Sequence, residues 1–178
     1  MKKKNEKPGL SYTQQVKKNR REREFWDRFF QAPESLDDVP NHMHWVKFSF
    51  SSITDEELGF FTERVRSVNM LDLKETHIGI EGIRHLVKME FIGELRLKES
   101  FAIDDECMTF ISHLTSLKLL QLNGTGVTAA GLKYLESLVN LEQVFLSLDM
   151  NDEENRQAVL AIKKRLPLCE VIVNGSTI

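Results

Sequence analysis

A short apolar pattern recurs along most of the chain at nearly constant spacing. Leu117, Leu120 and Leu122 have the form apolar-x-x-apolar-x-apolar. The same form fits five other triplets: Trp45–Phe48–Phe50, Val68–Leu71–Leu73, Ile92–Leu95–Leu97, Leu141–Val144–Leu146 and Leu168–Val171–Val173. The first positions of the six copies are 23, 24, 25, 24 and 27 residues apart. Periods of this length are typical of solenoid folds, in which each repeat buries its apolar side against its neighbours.

Each copy predicts a short strand followed by a turn and a helix. Leu120 and Leu122 alternate with Gln121, so the two leucines are predicted to be buried and Gln121 to point outwards. Apolar residues three apart then indicate a helical stripe, as at Leu132 and Leu135. The predicted helix starts and turns are a capping box at Thr54–Glu57, a second at Asn151–Glu154, N-caps at Asp104 and Thr128, and turns with unusual backbone angles at Gly79 and Gly124.

These copies carry a resemblance to the leucine-rich repeat family. The segments "LKLLQLNGTGVTAAGLKYL" and "VNMLDLKETHIGIEGIRHL" resemble the family consensus LxxLxLxxT-x-[IV]-T-x-x-G-L-x-x-L, and the likeness covers residues 45–178. It implies an α/β solenoid with about six parallel strands on a concave face, helices on the convex face, and a role in binding other proteins. The tail "IKKRLPLCEVIV" resembles, more weakly, the repeat tail of mitochondrial ATP synthase coupling factor B, which would imply an assembly role beside a membrane complex.

The sequence before the repeats predicts two further segments. Residues 1–10 are expected to be a disordered basic tail. Residues 11–44 are expected to be a capping helix and a linker, because "SYTQQVKKNRREREFWDRFF" holds good helix formers and an aromatic face of Phe25, Trp26, Phe29 and Phe30. An open solenoid end requires such a cap. The repeat domain is then 45–178.

Charge and cysteine content limit the class of protein. Residues 1–30 hold ten basic and four acidic residues, whereas the remainder holds 14 and 23, so a basic head precedes an acidic body. No segment approaches the roughly 20 apolar residues of a membrane span. The two cysteines, Cys107 and Cys169, form no disulfide framework, which favours a reducing cytoplasm and packed thiols. The segment "KKNRRER" is interrupted by Glu22 and Glu24, which favours a solvated helix face over nucleic-acid binding.

The sequence favours a protein without catalytic activity and without a cofactor. "NGTG" lacks the lysine and the spacing of a phosphate-binding loop. The cluster from Asp104 to Glu106 suits a helix N-terminus, where acids are stabilised by the helix dipole. His42 and His44 stand two apart and could both face one metal ion, but no further ligands lie near them in the sequence.

The predicted function is therefore protein binding on the outward, concave face of the sheet. Aromatic and aliphatic anchors within a charged rim are typical of an interface. The predicted binding residues are Asp72, Glu94, Arg96, Leu119, Gln121, Phe145 and Ile172, of which Leu119, Phe145 and Ile172 form an apolar cluster. Two alternatives remain open at this stage: a structural or assembly subunit whose apolar cluster is permanently buried in an oligomer, and a metal-dependent enzyme using His42 and His44. The cluster could also be covered by the chain's tail, by its leader or by a second copy. The partner and the oligomeric state stay open.

Overall fold

A computed structural model describes residues 10–178, which belong to two compact units. The first unit runs to Val39 and the second from Pro40 to Ile178. The predicted disordered tail, residues 1–10, lies outside the described residues except for Leu10.

The first unit is built around one long helix, α1, from Tyr12 to Phe30. Ser11 begins it with a capping box, in which Ser11 Oγ accepts from Gln14 N at 3.4 Å and Ser11 N donates to Gln14 Oε1 at 2.8 Å. The predicted aromatic face exists: the rings of Phe25 and Trp26 are 5.1 Å apart, and those of Trp26 and Phe30 are 5.0 Å apart. The helix is thus confirmed, whereas its role as a cap stays a prediction.

The second unit is a seven-stranded α/β structure whose strands follow one another in chain order. Six strands are parallel, and the last pairs antiparallel with the sixth. The strands are β1 (His42–Lys47), β2 (Ser67–Asp72), β3 (Phe91–Arg96), β4 (Leu119–Gln121), β5 (Gln143–Leu146), β6 (Glu170–Val173) and β7 (Ser176–Thr177). The helices are α2 (Asp55–Arg64), α3 (Ile80–Leu86), α4 (Asp105–Ile111), α5 (Ala129–Leu132) and α6 (Glu153–Arg165). The predicted α/β class and six parallel strands are confirmed.

The strand register places one apolar residue of every parallel strand in a single buried row. That row is Val46, Leu71, Leu95, Leu120, Val144 and Val171. Connections between parallel strands through a helix are almost always right-handed. Since the strands also follow one another in a single direction across the sheet, the helices lie on one face of it. Each helix contacts the next along the chain. The predicted burial of Leu120 and Leu122 is confirmed.

The first copy of the apolar pattern was placed two residues too late. Val46 pairs with Leu71, and Phe48 N donates to Asp72 O at 2.8 Å as Leu73 N does to Arg96 O. The copy is therefore Met43, Val46 and Phe48, whereas Trp45 and Phe50 are 77% and 67% exposed.

The last copy also differs from its prediction. Leu168, expected to be buried, is 95% exposed, and Leu166 and Cys169 on either side are buried instead. Beyond β6, Asn174 and Gly175 adopt φ values of 51° and 82°, which turn the chain back as β7. Paired positive φ values are typical of a tight two-residue hairpin turn.

The turns that follow β1 to β4 share a residue with positive φ and a hydroxyl-bearing residue directly after it. Phe50, Glu75, Glu99 and Gly124 all have positive φ at equivalent positions. The next residue carries a hydroxyl in each case: Ser51, Thr76, Ser100 and Thr125. Thr76 and Ser100 are buried, and both donate to Leu73 O, at 2.8 and 2.9 Å. The two buried hydroxyls thus satisfy one backbone carbonyl, Leu73 O, and are themselves satisfied by it.

The predicted helix starts are mostly confirmed. Thr54 forms its capping box with Glu57, and Asp104 and Thr128 are N-caps. The last helix is capped by Asp152, which accepts from Asn155 N at 3.0 Å, so the capping box at Asn151–Glu154 was wrong. Gly124 has the predicted unusual φ of 73°, but the Gly79 backbone is extended.

One carboxylate connects each of two helices to the following helix. Asp105 at the start of α4 accepts from Thr128 N at 2.8 Å and from Thr128 Oγ1 at 2.6 Å. It fills the space beside Gly131, where an added Cβ would fall inside van der Waals contact of Asp105 Oδ1. Asp55 bonds to Gly79 N at 2.9 Å in the same way. Glycine is thus required in α5 because the preceding helix places a side chain there.

Candidate functional site

The face of the sheet opposite the helices presents two aligned rows of outward side chains, and we call it the open face. Residues two apart on a strand share a face, so both rows lie on the same side of the sheet. The first row is Trp45, Met70, Glu94, Leu119, Gln143 and Glu170, and the second is Lys47, Asp72, Arg96, Gln121, Phe145 and Ile172. All seven predicted binding residues belong to these two rows.

The predicted apolar cluster is only partly accessible. Leu119 and Phe145 are half-buried, but Ile172 is 8% exposed. Ile172 pairs with Phe145 on one side and with Thr177 of β7 on the other. The prediction that Ile172 is exposed was therefore wrong, because the C-terminal hairpin adds a strand beside it.

Trp45 is the outward aromatic residue that sequence reasoning missed. Its row neighbour Met70 is 7% exposed, whereas Trp45 itself is 77% exposed. The predicted triplet Trp45–Phe48–Phe50 assigned Trp45 to the core. The signal that could have corrected it is Met43, which starts a copy of the same form and brings the spacing to the next copy to 25 residues.

Two ion pairs lie on or beside the open face. Arg96 Nη2 lies 2.8 Å from Glu94 Oε2, and Lys118 Nζ lies 2.9 Å from Glu142 Oε1. Gln143 Nε2 donates to Glu170 Oε2 at 2.7 Å. This hydrogen bond and a second one from Thr177 lower the pKa of Glu170. Both ion pairs are more than one-third exposed to solvent.

A pocket of about 350 Å³ opens on this face near the beginnings of β2 to β5. Its lining includes Asn69, Phe91, Gly93, Glu94 and Lys118. A Cβ on Gly93 would lie 2.7 Å from Asn69 O and 3.4 Å from the Phe91 ring. Gly93 therefore lines the pocket at a position where any larger residue would clash with the neighbouring backbone. Sequence reasoning missed Phe91 and Gly93, although a glycine inside a strand often marks such a close approach.

The two histidines singled out from the sequence come together in β1. Their rings are 5.1 Å apart, His42 is hydrogen-bonded to Ser67 at 2.8 Å, and His44 to Asn69 at 3.4 Å. Within residues 10–178 there is no group of three or more His, Cys, Asp or Glu side chains that could hold a metal ion. The arrangement supplies two imidazoles, each oriented by a polar neighbour.

The remaining residues considered from the sequence have structural contacts. Cys107 and Cys169 are both buried, as predicted, and burial raises the pKa of each thiol to about 11. Asp104 accepts hydrogen bonds from Glu106 N at 3.0 Å and Cys107 N at 3.2 Å. Arg20 in the basic segment is exposed and pairs with Glu24 at 2.8 Å. No helix in the described part of the chain is long and apolar enough to cross a membrane.

Comparison with known proteins identifies no family for this chain. No protein-family model matches it, and no curated protein is similar enough to count as a relative.

Proposed function

We propose that the unit from Pro40 to Ile178 is a non-catalytic binding module of leucine-rich repeat type that holds a protein partner on its open face. Three regularities support the repeat assignment: the buried row, the positive-φ position and the hydroxyl that follows it. All three recur at spacings of 24 or 25 residues in the central copies, and stacked units of this length are typical of solenoids. Two buried free cysteines fit a reducing compartment such as the cytoplasm.

The exposure of Trp45 carries the binding proposal. A tryptophan that is 77% exposed contributes little to the core, and tryptophan is among the residues most enriched at binding hot spots. Half-buried Leu119 and Phe145 form a second apolar group on β4 and β5, and the Glu94–Arg96 pair on β3 separates this group from Trp45 on β1. Apolar anchors beside paired charges are typical of a protein interface.

Truncation of the anchors tests this function. A partner captured by the full chain and identified by mass spectrometry is titrated by calorimetry against the wild type, Trp45→Ala and Phe145→Ala. Each variant should bind at least about tenfold more weakly, equivalent to roughly 1.4 kcal/mol, with a melting temperature close to that of the wild type. Leu160→Ala is the matched control, because Leu160 is exposed on α6.

Two results would contradict the proposal. Equal affinity of all four proteins would place the binding surface elsewhere. Light scattering could show that the wild type is the same oligomer at every concentration and that Trp45→Ala is a monomer. This result would favour an assembly subunit whose open face is permanently covered.

A further inference from the structure

The open-face pocket is bounded by one aromatic ring and by side chains rich in oxygen. Phe91 is 37% exposed, and its ring packs over the position where Gly93 has no side chain. Glu94, Glu142 and Gln143 also line the pocket, together with the aliphatic side chain of Leu119. A planar group that enters this space would meet a ring on one side and carboxylate and amide groups around it.

The lining side chains carry more hydrogen-bond acceptors than donors. Glu94 uses Oε2 for Arg96, and Glu142 uses Oε1 for Lys118, so each carboxylate has a second oxygen without a partner among the described residues. The side-chain oxygens of Asn69 and Gln143 likewise accept no hydrogen bond within residues 10–178. Four acceptor oxygens are thus available for a ligand.

The carboxylates of the lining favour a cationic donor through their unpartnered oxygens rather than through an excess of negative charge. Glu142 is paired with Lys118 and Glu94 with Arg96, and each carboxylate keeps a second oxygen that can accept a charged hydrogen bond. Arginine presents five N–H donors and no acceptor in a planar group, and it stacks on aromatic rings. Lysine offers a compact point charge with three donors, which matches the ring and the dispersed acceptors less well.

We infer that this pocket receives an arginine side chain of the protein partner. The guanidinium group stacks on Phe91 and donates hydrogen bonds to Glu94 and Glu142, while the aliphatic part of the side chain contacts Leu119. This inference rests on the proposed binding function of the open face and adds the chemistry of the residue that is recognised.

Small arginine compounds test the pocket without the partner. The full chain labelled with ¹⁵N is titrated with N-acetyl-arginine methylamide and with the citrulline compound, which has nearly the same shape but no charge. The arginine compound should shift the amide signals of Asn69, Gly93, Glu94 and Leu119 in a saturable manner. It should bind at least about tenfold more tightly than the citrulline compound, since hydrogen bonds from a charged donor to a carboxylate are stronger than those from a neutral one.

Variants separate a pocket from a general charge effect. Glu94→Gln and Phe91→Leu should each weaken binding of the arginine compound about fivefold or more. Glu154→Gln removes the same charge from the exposed surface of α6 and should leave binding unchanged. Equal binding of the two compounds, shifts at other residues, or an equal effect of Glu154→Gln would overturn the inference. If the arginine compound fails to bind while Trp45→Ala still weakens partner binding at least about tenfold, only the ligand of the pocket is wrong and the binding function stands.

Discussion

At the scale of single residues, alternation along each strand divides core from surface. Leu120 is completely buried, whereas its neighbour Gln121 points to the open face. The sequence predicts this division well in the central copies, because leucines there alternate with polar residues and each pairs with an equivalent leucine or valine. An inward charge would lie among apolar side chains without a partner.

Leu120→Asp should therefore prevent folding of the second unit, since burial of an unpaired carboxylate costs several kcal/mol. Circular dichroism during heating should show no cooperative transition for this variant. Gln121→Asp adds the same charge one position away and should change the free energy of unfolding by about 0.5 kcal/mol, as is usual for surface substitutions. Cooperative melting of Leu120→Asp near the wild-type temperature would contradict the assigned orientation of β4.

The same alternation explains why the first strand was misplaced. Trp45–Phe48–Phe50 and Met43–Val46–Phe48 both have the apolar form, and Phe48 is buried in either register, whereas Trp45 and Phe50 are buried only in the wrong one. Large aromatic side chains favoured the wrong choice. What fixes the register is the turn at Phe50, whose φ of 60° is usual for glycine, so no residue type marked it.

At the scale of elements, the starts of the helices are partly readable from sequence. Thr128 is an N-cap of the expected type, but the carboxylate that bonds to it comes from Asp105, 23 residues earlier. Contacts between successive repeats have no local sequence signal. Leu168 shows the same limit, because Pro167 and the extra residues of this copy leave it outside the core while Leu166 and Cys169 are buried.

A double-mutant cycle tests the contact between α4 and α5. Gly131→Ala should lower the free energy of unfolding by about 1–3 kcal/mol, as overpacking usually does, because Asp105 cannot move without losing two hydrogen bonds. Once Asp105→Ala has removed the carboxylate, the same change should cost far less, since alanine favours a helix over glycine by about 1 kcal/mol. The measurement is urea unfolding of the four proteins.

Additive effects would contradict this geometry. The change in the free energy of unfolding of the double variant is compared with the sum of the changes for the two single variants. Agreement within about 0.3 kcal/mol would mean that Asp105 and position 131 do not interact. Glu106→Ala, at an exposed neighbouring position, is the control for general effects on α4.

At the scale of the whole molecule, the fold follows from one pairing rule repeated along the chain. Every strand pairs with its neighbour in sequence, so the sheet order could be predicted from the repeats alone. The open-face pocket could not, because its lining comes from β2 to β5 and depends on the missing side chain of Gly93. The hairpin that encloses Ile172 also escaped prediction, since it lies after the last copy of the pattern.

Two buried thiols are expected to lower the stability of the molecule at alkaline pH. The pKa of Cys107 and of Cys169 is raised to about 11 by burial, whereas an unfolded thiol ionises near pH 8.5. The contribution of the protonated thiols to the free energy of unfolding is complete below about pH 8.5. It is lost as the pH rises towards 11, and the loss is on the order of 2 kcal/mol for each thiol.

Urea unfolding at pH 8 and pH 10.5, with reductant, measures this effect. The wild type should lose more stability between the two pH values than Cys107→Ala/Cys169→Ala, in which lysines and tyrosines titrate alike but the thiols are absent. An identical loss in both proteins would show that the thiols can ionise in the folded state at no cost.

The antiparallel strand β7 determines where the number of repeats can change. Between β1 and β6, a whole additional copy would meet a parallel strand on both sides, as β2 to β5 do. Downstream of β6 that edge is already occupied by a strand running in the opposite direction. Lengthening by duplication, whether in evolution or in design, is therefore expected to take place inside the array, with the hairpin retained as its last piece.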